Sequence, residues 1–182
     1  MQILPKSLVV LFLTLSAPAF SAEPSAVQVE AEQAGVAGLI DKGFGFLGIK
    51  YRFGGTGPEM GGFDCSGLVR KVFGDALGLN LPRTAAEMAK LGDKVGAQDL
   101  KPGDLVFFNT MRRAFSHVGI YVGDNKFLHS PSRGGVVRVE EIDSSYWMKR
   151  FNGARRLVPE AQATPYAPPP LLAAPVPESN QK

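Results

Sequence analysis

Cysteine is nearly absent from this chain: its 182 residues contain one, Cys65. No intrachain disulfide can form, which excludes a small disulfide-stapled scaffold. Histidine is almost as scarce, with only His117 and His129, and there is one tryptophan, Trp147. No apolar run is long enough to cross a bilayer; the most apolar stretch is residues 8–15 (LVVLFLTL). There is no block of like charge and no internal repeat. The net charge of +3 is mild and the Lys and Arg residues are scattered, so a nucleic-acid-binding footprint is excluded. The one tight basic group, Lys149, Arg150, Arg155 and Arg156, reads as a solvated strand edge rather than a binding patch.

What is present begins with a leader. Lys6 gives a short positive region, the apolar run follows, and small residues close it at Ala17-Pro18-Ala19-Phe20-Ser21-Ala22. This is the pattern of a secretory signal peptide over residues 1–22. No cysteine follows the run, so no lipid anchor is expected at the mature N-terminus. The expected product is exported and soluble, with no stable membrane insertion. In an oxidising compartment a lone thiol is a liability unless it is used, or buried and inert.

Residues 23–32 are small and polar and read as a flexible lead-in. Apolar residues then recur at helical spacing over 33–47. Residues 52–62 are rich in glycine and read as a loop. Leu68, Val69, Val72, Phe73 and Leu77 predict a helix over 65–77. Thr84-Ala85-Ala86-Glu87 is a capping box and starts another helix. Pro102-Gly103 fits a type II turn. Strand-like runs follow at 104–108, 117–122, 126–130, 136–142 and 152–157. Helices first and strands afterwards predict an α+β domain with an antiparallel sheet over 33–158. The last 24 residues, 159–182, hold seven of the 14 prolines. They read as a disordered, Pro-rich tail, either passive or a docking segment for a protein partner.

A cysteine nucleophile needs a base, and the base needs an orienting group. Three roles meet three scarce residues: Cys65, His117 and His129. Asp64 is a good N-cap, with Phe63 able to staple onto Leu68, which places Cys65 in the first turn of a helix. The exposed N–H groups there should lower the thiol pKa and can hold an oxyanion. Ser66 and Gly67 keep the approach uncrowded. His117 opens an alternating strand in which Val118, Ile120 and Val122 take the core side, so His117 points to the other face beside Gly119. The hairpin loop decides where His129 points. A two-residue loop, Asp124-Asn125, would put the histidines on opposite faces; a three-residue loop, 123–125, would put Gly119 opposite His129 and both rings on one face. The three-residue form is expected. Tyr51 is either a hydrogen-bond donor to the oxyanion or an aromatic anchor under the glycine-rich loop. The cysteine and two histidines could in principle ligate zinc. However, their spacing lacks a close ligand pair and no fourth ligand is signalled. No metal or cofactor is expected.

Several segments resemble the NlpC family of cell-wall peptidases in order and spacing. They are Tyr51-Arg52-Phe53-Gly54-Gly55, Phe63-Asp64-Cys65-Ser66-Gly67-Leu68, Leu81-Pro82-Arg83-Thr84, residues 100–108, His117-Val118-Gly119-Ile120-Tyr121, Phe127-Leu128-His129, and the closing Tyr146-Trp147 and Ala154-Arg155-Arg156. The resemblance implies a papain-like α+β fold and a Cys-His-His triad. Cys65 would be the nucleophile, His117 the general base and His129 the orienter. It also implies hydrolysis of amide bonds in peptidoglycan stem peptides. The chain is most similar to single-domain murein endopeptidases of Gram-negative bacteria, which implies a periplasmic location. Those often carry a lipid-modified cysteine, which this chain lacks, and the Pro-rich tail is a further departure. The bond between D-Ala and meso-diaminopimelate is the preferred target; that between D-Glu and meso-diaminopimelate is the alternative. An amidase or acyltransferase on the same scaffold, and a wall-binding module without activity, are the other readings. Occupancy of all three triad positions argues against the last.

Overall fold

The computed structural model describes residues 26–132 and 135–158, with side chains from Gly35 onward. The leader expected over 1–22 and the Pro-rich tail over 159–182 lie outside the described residues. The first helix, α1 (Ala26–Phe44), begins well before residue 33. It therefore takes in most of the expected flexible lead-in. Residues 26–33 contain no Gly or Pro and are mainly Ala, Glu, Gln and Val. Intrinsic propensity carries the helix back through them, and their polarity was a poor guide to flexibility. Val36, Leu39 and Ile40 are its buried anchors.

Helix α2 (Cys65–Leu77) has the bounds its periodicity predicts. Asp64 caps it, accepting the Gly67 N–H at 2.7 Å, and Gly78 ends it in the left-handed region at φ 68°. Leu68, Val69, Val72 and Phe73 are fully buried, each contributing roughly 1.5–3 kcal/mol. Before it, the glycine-rich segment forms a small ribbon, β1 (Thr56–Gly57) with β2 (Gly62–Phe63). After it comes α3 (Ala85–Met88), with the expected reciprocal capping box between Thr84 and Glu87.

Six strands build the main sheet: β3 (Asp93–Val95), β4 (Leu105–Phe108), β5 (His117–Gly123), β6 (Lys126–His129), β7 (Arg138–Glu141) and β8 (Phe151–Arg156). Their order is β3-β8-β4-β5-β6-β7, and every pairing is antiparallel. Asp104 N–H bonds Lys101 O at 3.0 Å with Gly103 at φ +92°, the expected type II turn. Strand β3 and a short helix, α4 (Ser145–Met148), were not expected, because three or four residues carry no readable period.

Both faces of the sheet are covered. Val118, Ile120 and Val122 join Leu105 and Phe107 against the helices. On the other face Val106, Phe108, Tyr121, Phe127 and Ala154 pack beneath Trp147 of α4. Of the basic group at 149–156, Lys149 is exposed, but Arg155 and Arg156 lie on β8, an interior strand rather than an edge. Arg156 is largely buried against Asp104, Nη2 to Oδ2 2.7 Å, and Arg150 lies over the Tyr146 ring at 3.8 Å.

The β5–β6 hairpin corrects the loop expectation. Gly123 pairs with Lys126, so the loop is the two-residue Asp124-Asn125 turn, with both residues at positive φ, 48° and 56°. The histidines nevertheless share a face. The register shifts between Tyr121 and Gly123, leaving Val122 as a bulge, and Ile120 then pairs with Leu128. That extra residue restores the parity which the short turn removes. Continuing the register sets Gly119 opposite His129. A Cβ on Gly119 would stand 2.6 Å from Phe127 Cδ2, 2.8 Å from Leu128 O and 3.3 Å from His129 Cβ, so only glycine lets β6 approach this closely.

Candidate active site

Cys65 is the first residue of α2 and is partly exposed. The loop before it is pinned by Asp64. Oδ1 accepts from Gly67 N–H (2.7 Å), Ser66 Oγ–H (3.3 Å) and Arg83 Nη1 (3.1 Å). Oδ2 accepts from Gly54 N–H (3.1 Å) and Arg83 Nη2 (2.5 Å). Arg83 Nη1 also donates to Ser66 Oγ at 2.9 Å. Asp64 and Ser66 thus spend their polar atoms on holding the helix start, the glycine loop and Arg83 together. Gly67 serves close packing: a Cβ there would lie 2.1 Å from Gly55 O.

Cys65 opens on a cleft of about 430 Å³ shared with Tyr51, Arg83, Phe115 and His117. A second cleft, about 680 Å³, is lined by His117, Arg138, Glu140, Tyr146 and Trp147. The two have Thr110, Met111, His117 and Ser132 in common, so His117 stands where they meet. Phe53, 87% exposed, lies on the rim.

His117 and His129 are both buried. His117 Nε2 is 2.9 Å from His129 Nδ1, with the rings perpendicular. The Trp147 ring stacks on His117, centroids 5.5 Å apart at 20°, and meets His129 edge-on. Beyond His129, Nε2 lies 3.6 Å from Glu140 Oε2, longer than a direct hydrogen bond. Glu140 accepts from Trp147 Nε1–H and from Arg138 Nε at 2.5 Å. Ser130, next in the chain, donates its buried hydroxyl to Phe63 O at 2.9 Å. This bond ties the end of β6 to the segment that carries Cys65.

Burial sets the protonation states. It pushes the His117 pKa down to about 3, helped by His129 and opposed by the Glu140 charge. Burial also lowers His129, against its contact with Glu140. Both rings are therefore neutral at neutral pH. The Cys65 thiol is pushed up by burial and by the Asp64 charge, against backbone N–H groups of Val118, Ser66 and Cys65 itself that lower it. The expected fall at the helix start is thus corrected: desolvation outweighs the donors. The resting pair is a thiol beside a neutral imidazole. Tyr51 is raised by burial and by the Cys65 and Asp64 charges, so its phenol stays protonated.

The unfolded chain takes up protons on its histidines near pH 6.5, whereas folded His117 resists until about 3. This contribution to stability is complete above pH 6.5 and is lost as pH falls toward 3, at up to about 1.4 kcal/mol per pH unit for each histidine. The urea midpoint is expected to be lower at pH 5 than at pH 7.5. Equal midpoints would contradict a buried neutral pair.

Three residues at the site escaped prediction as functional: Arg83, Glu140 and Trp147. Trp147 was signalled by being the only tryptophan. Arg138 and Glu140 alternate along one strand face, but the loop before β7 hides their register against His129.

A model of the NlpC/P60 family matches residues 48–156. The chain is 45% identical over 112 residues to the gamma-DL-glutamyl hydrolase of Bacillus subtilis, covering 61% of this chain and 27% of that protein. It is 44% identical over 115 residues to the murein DD-endopeptidase MepH of Escherichia coli, covering 62% of this chain and 42% of that protein. The chain thus spans less than half the length of these two relatives. Its fold is similar to the crystal structure of an NlpC/P60 family protein from Bacillus cereus. There the TM-score is 0.63 at 32% identity, over 68% of this chain and 40% of the other.

Proposed function

The chain belongs to the NlpC/P60 family, and from that premise we propose that it is a cysteine endopeptidase hydrolysing amide bonds in peptidoglycan stem peptides or cross-links. The observation carrying this is a thiol at a helix start that shares a cleft with a buried histidine pair, His117 Nε2 to His129 Nδ1 2.9 Å. In this reading Cys65 is the nucleophile, His117 the base and His129 the residue that orients it. The secretory leader expected over 1–22 would deliver the chain to the wall polymer.

His117 takes the Cys65 proton as sulfur attacks the scissile carbonyl carbon. The oxyanion is met by backbone N–H groups in the first turn of α2 and by the Tyr51 hydroxyl. Collapse breaks the C–N bond, the imidazolium gives its proton to the departing amine, and a thioester remains. Water, deprotonated by His117, then hydrolyses it and frees the thiol. Both proton abstractions, from the thiol and from water, start from a neutral histidine, in accord with the low His117 pKa.

One of the two relatives is named for a gamma-glutamyl bond and the other as a murein DD-endopeptidase. We favour the D-Ala–meso-diaminopimelate cross-link, with D-Glu–meso-diaminopimelate as the alternative. Digestion of purified sacculi and defined muropeptides, read by mass spectrometry, decides. Cross-link cleavage converts dimers to monomers, and stem cleavage shortens the peptide. Adducts with an amine or alcohol acceptor would mark an acyltransferase, and no product from either substrate would reject the proposal.

A further inference from the structure

Glu140 sits on β7 diagonal to His129, since Phe127 pairs with Glu140 and His129 with Arg138. His129 Nε2 has no hydrogen-bond partner among the described residues. The polar group it faces is the Glu140 carboxylate, 3.6 Å away. A carboxylate can only accept, so the favourable arrangement puts the hydrogen on Nε2. Neutral His129 then has a lone pair on Nδ1. That lone pair faces His117 Nε2 at 2.9 Å, which must therefore carry its own hydrogen. Neutral His117 is left with its lone pair on Nδ1, the ring nitrogen His129 does not engage. One carboxylate thereby orders two rings in series.

We infer that Glu140 is a positioning residue: acting through His129, it selects the tautomer of His117 that keeps a basic lone pair on Nδ1. The inference rests on the proposed roles of Cys65 and His117. Without Glu140 each ring can hold its hydrogen on either nitrogen, and half of the consistent arrangements place the His117 hydrogen on Nδ1. The carboxylate is itself braced from two sides, by Arg138 on its own strand and by Trp147 of α4. Its contact with His129 does most to hold its pKa down, to about 2, with Trp147 and Arg138 adding to the effect against burial. The charge therefore persists wherever the enzyme would work. Trp147 serves both ends of the relay, because its ring stacks on His117 while its N–H fixes Glu140. A carboxylate behind a histidine is a familiar way of setting ring tautomer and orientation.

The test begins on the unaltered protein. Histidine labelled with ¹⁵N, read by long-range proton–nitrogen correlation at pH 7.5, reports the tautomer of each ring. Both rings are expected to carry hydrogen on Nε2, and hydrogen on His117 Nδ1 would overturn the inference. This measurement needs no substrate, so it stands apart from any failure of the proposed activity. Glu140→Gln keeps the shape but removes the charge. It is expected to lower kcat roughly 10- to 100-fold with KM within about twofold, and to show a mixture of His117 tautomers. Glu140→Asp, which restores the charge, should recover part of the loss. Trp147→Phe keeps a ring on His117 but frees Glu140, and should fall between wild type and Glu140→Gln. A folded Glu140→Gln protein with wild-type kcat and an unchanged tautomer pattern would reduce the carboxylate to a structural brace.

Discussion

Cys65→Ala is expected to abolish peptidoglycan hydrolysis, lowering turnover by at least about ten-thousand-fold, while the protein melts within a few degrees of wild type. The first part follows from the absence of any other thiol, since Cys65 is the only cysteine in the chain. No neighbouring sulfur can take over. The second follows from where the side chain sits. Cys65 is partly exposed at the first position of α2, where alanine is a good helix former. The cap depends on Asp64 and the backbone of Gly67, which the substitution leaves intact. Residual cleavage at wild-type rate in a folded Cys65→Ala protein would end the thiol mechanism.

His117→Gln is expected to lower kcat about a thousand-fold through loss of the proton carrier. Combined with Cys65→Ala it should cost no more than the cysteine change alone, because the two act as one unit. Alkylation gives the sharper view. Burial raises the thiol and lowers the imidazole, so the pair rests uncharged. Iodoacetamide labelling of Cys65 should therefore be slow near pH 6 and climb steadily as the pH rises through the alkaline range. A preformed thiolate–imidazolium pair would instead give a fast plateau from acidic pH upward. A plateau of that kind would show that the helix start outweighs desolvation after all.

Much of this architecture was legible in local patterns. Helix α2 was readable because an N-cap and an i, i+3, i+4 apolar series marked the same bounds. The helix around the Thr84–Glu87 box and the turn at Pro102-Gly103 carried signals in single side chains. What escaped was set by tertiary pairing. Strand β3 is two polar residues and a valine, and it exists because β8 offers it an edge. Both histidines share a face, though through a different loop from the one the pattern predicts. Alternation predicts a three-residue turn, whereas a two-residue turn and the Val122 bulge give the same parity. Alternation cannot distinguish a loop residue from a bulged one. The direction of the thiol shift is not legible in the sequence because helix position is local, whereas burial of Cys65 depends on the sheet and loops around it. Glu140 was invisible for a related reason: its partner is a histidine from another strand.

The sheet order has a consequence for how the protein is made. Strand β8, the last element among the described residues, lies between β3 and β4. A chain released from the ribosome before Phe151 would hold Cys65, His117, His129 and Glu140, yet β4 would be left with an unpaired edge and β3 with no partner. Such edges invite aggregation and proteolysis. The sheet is therefore completed only once the chain has been made through Arg156, after every residue of the proposed catalytic group.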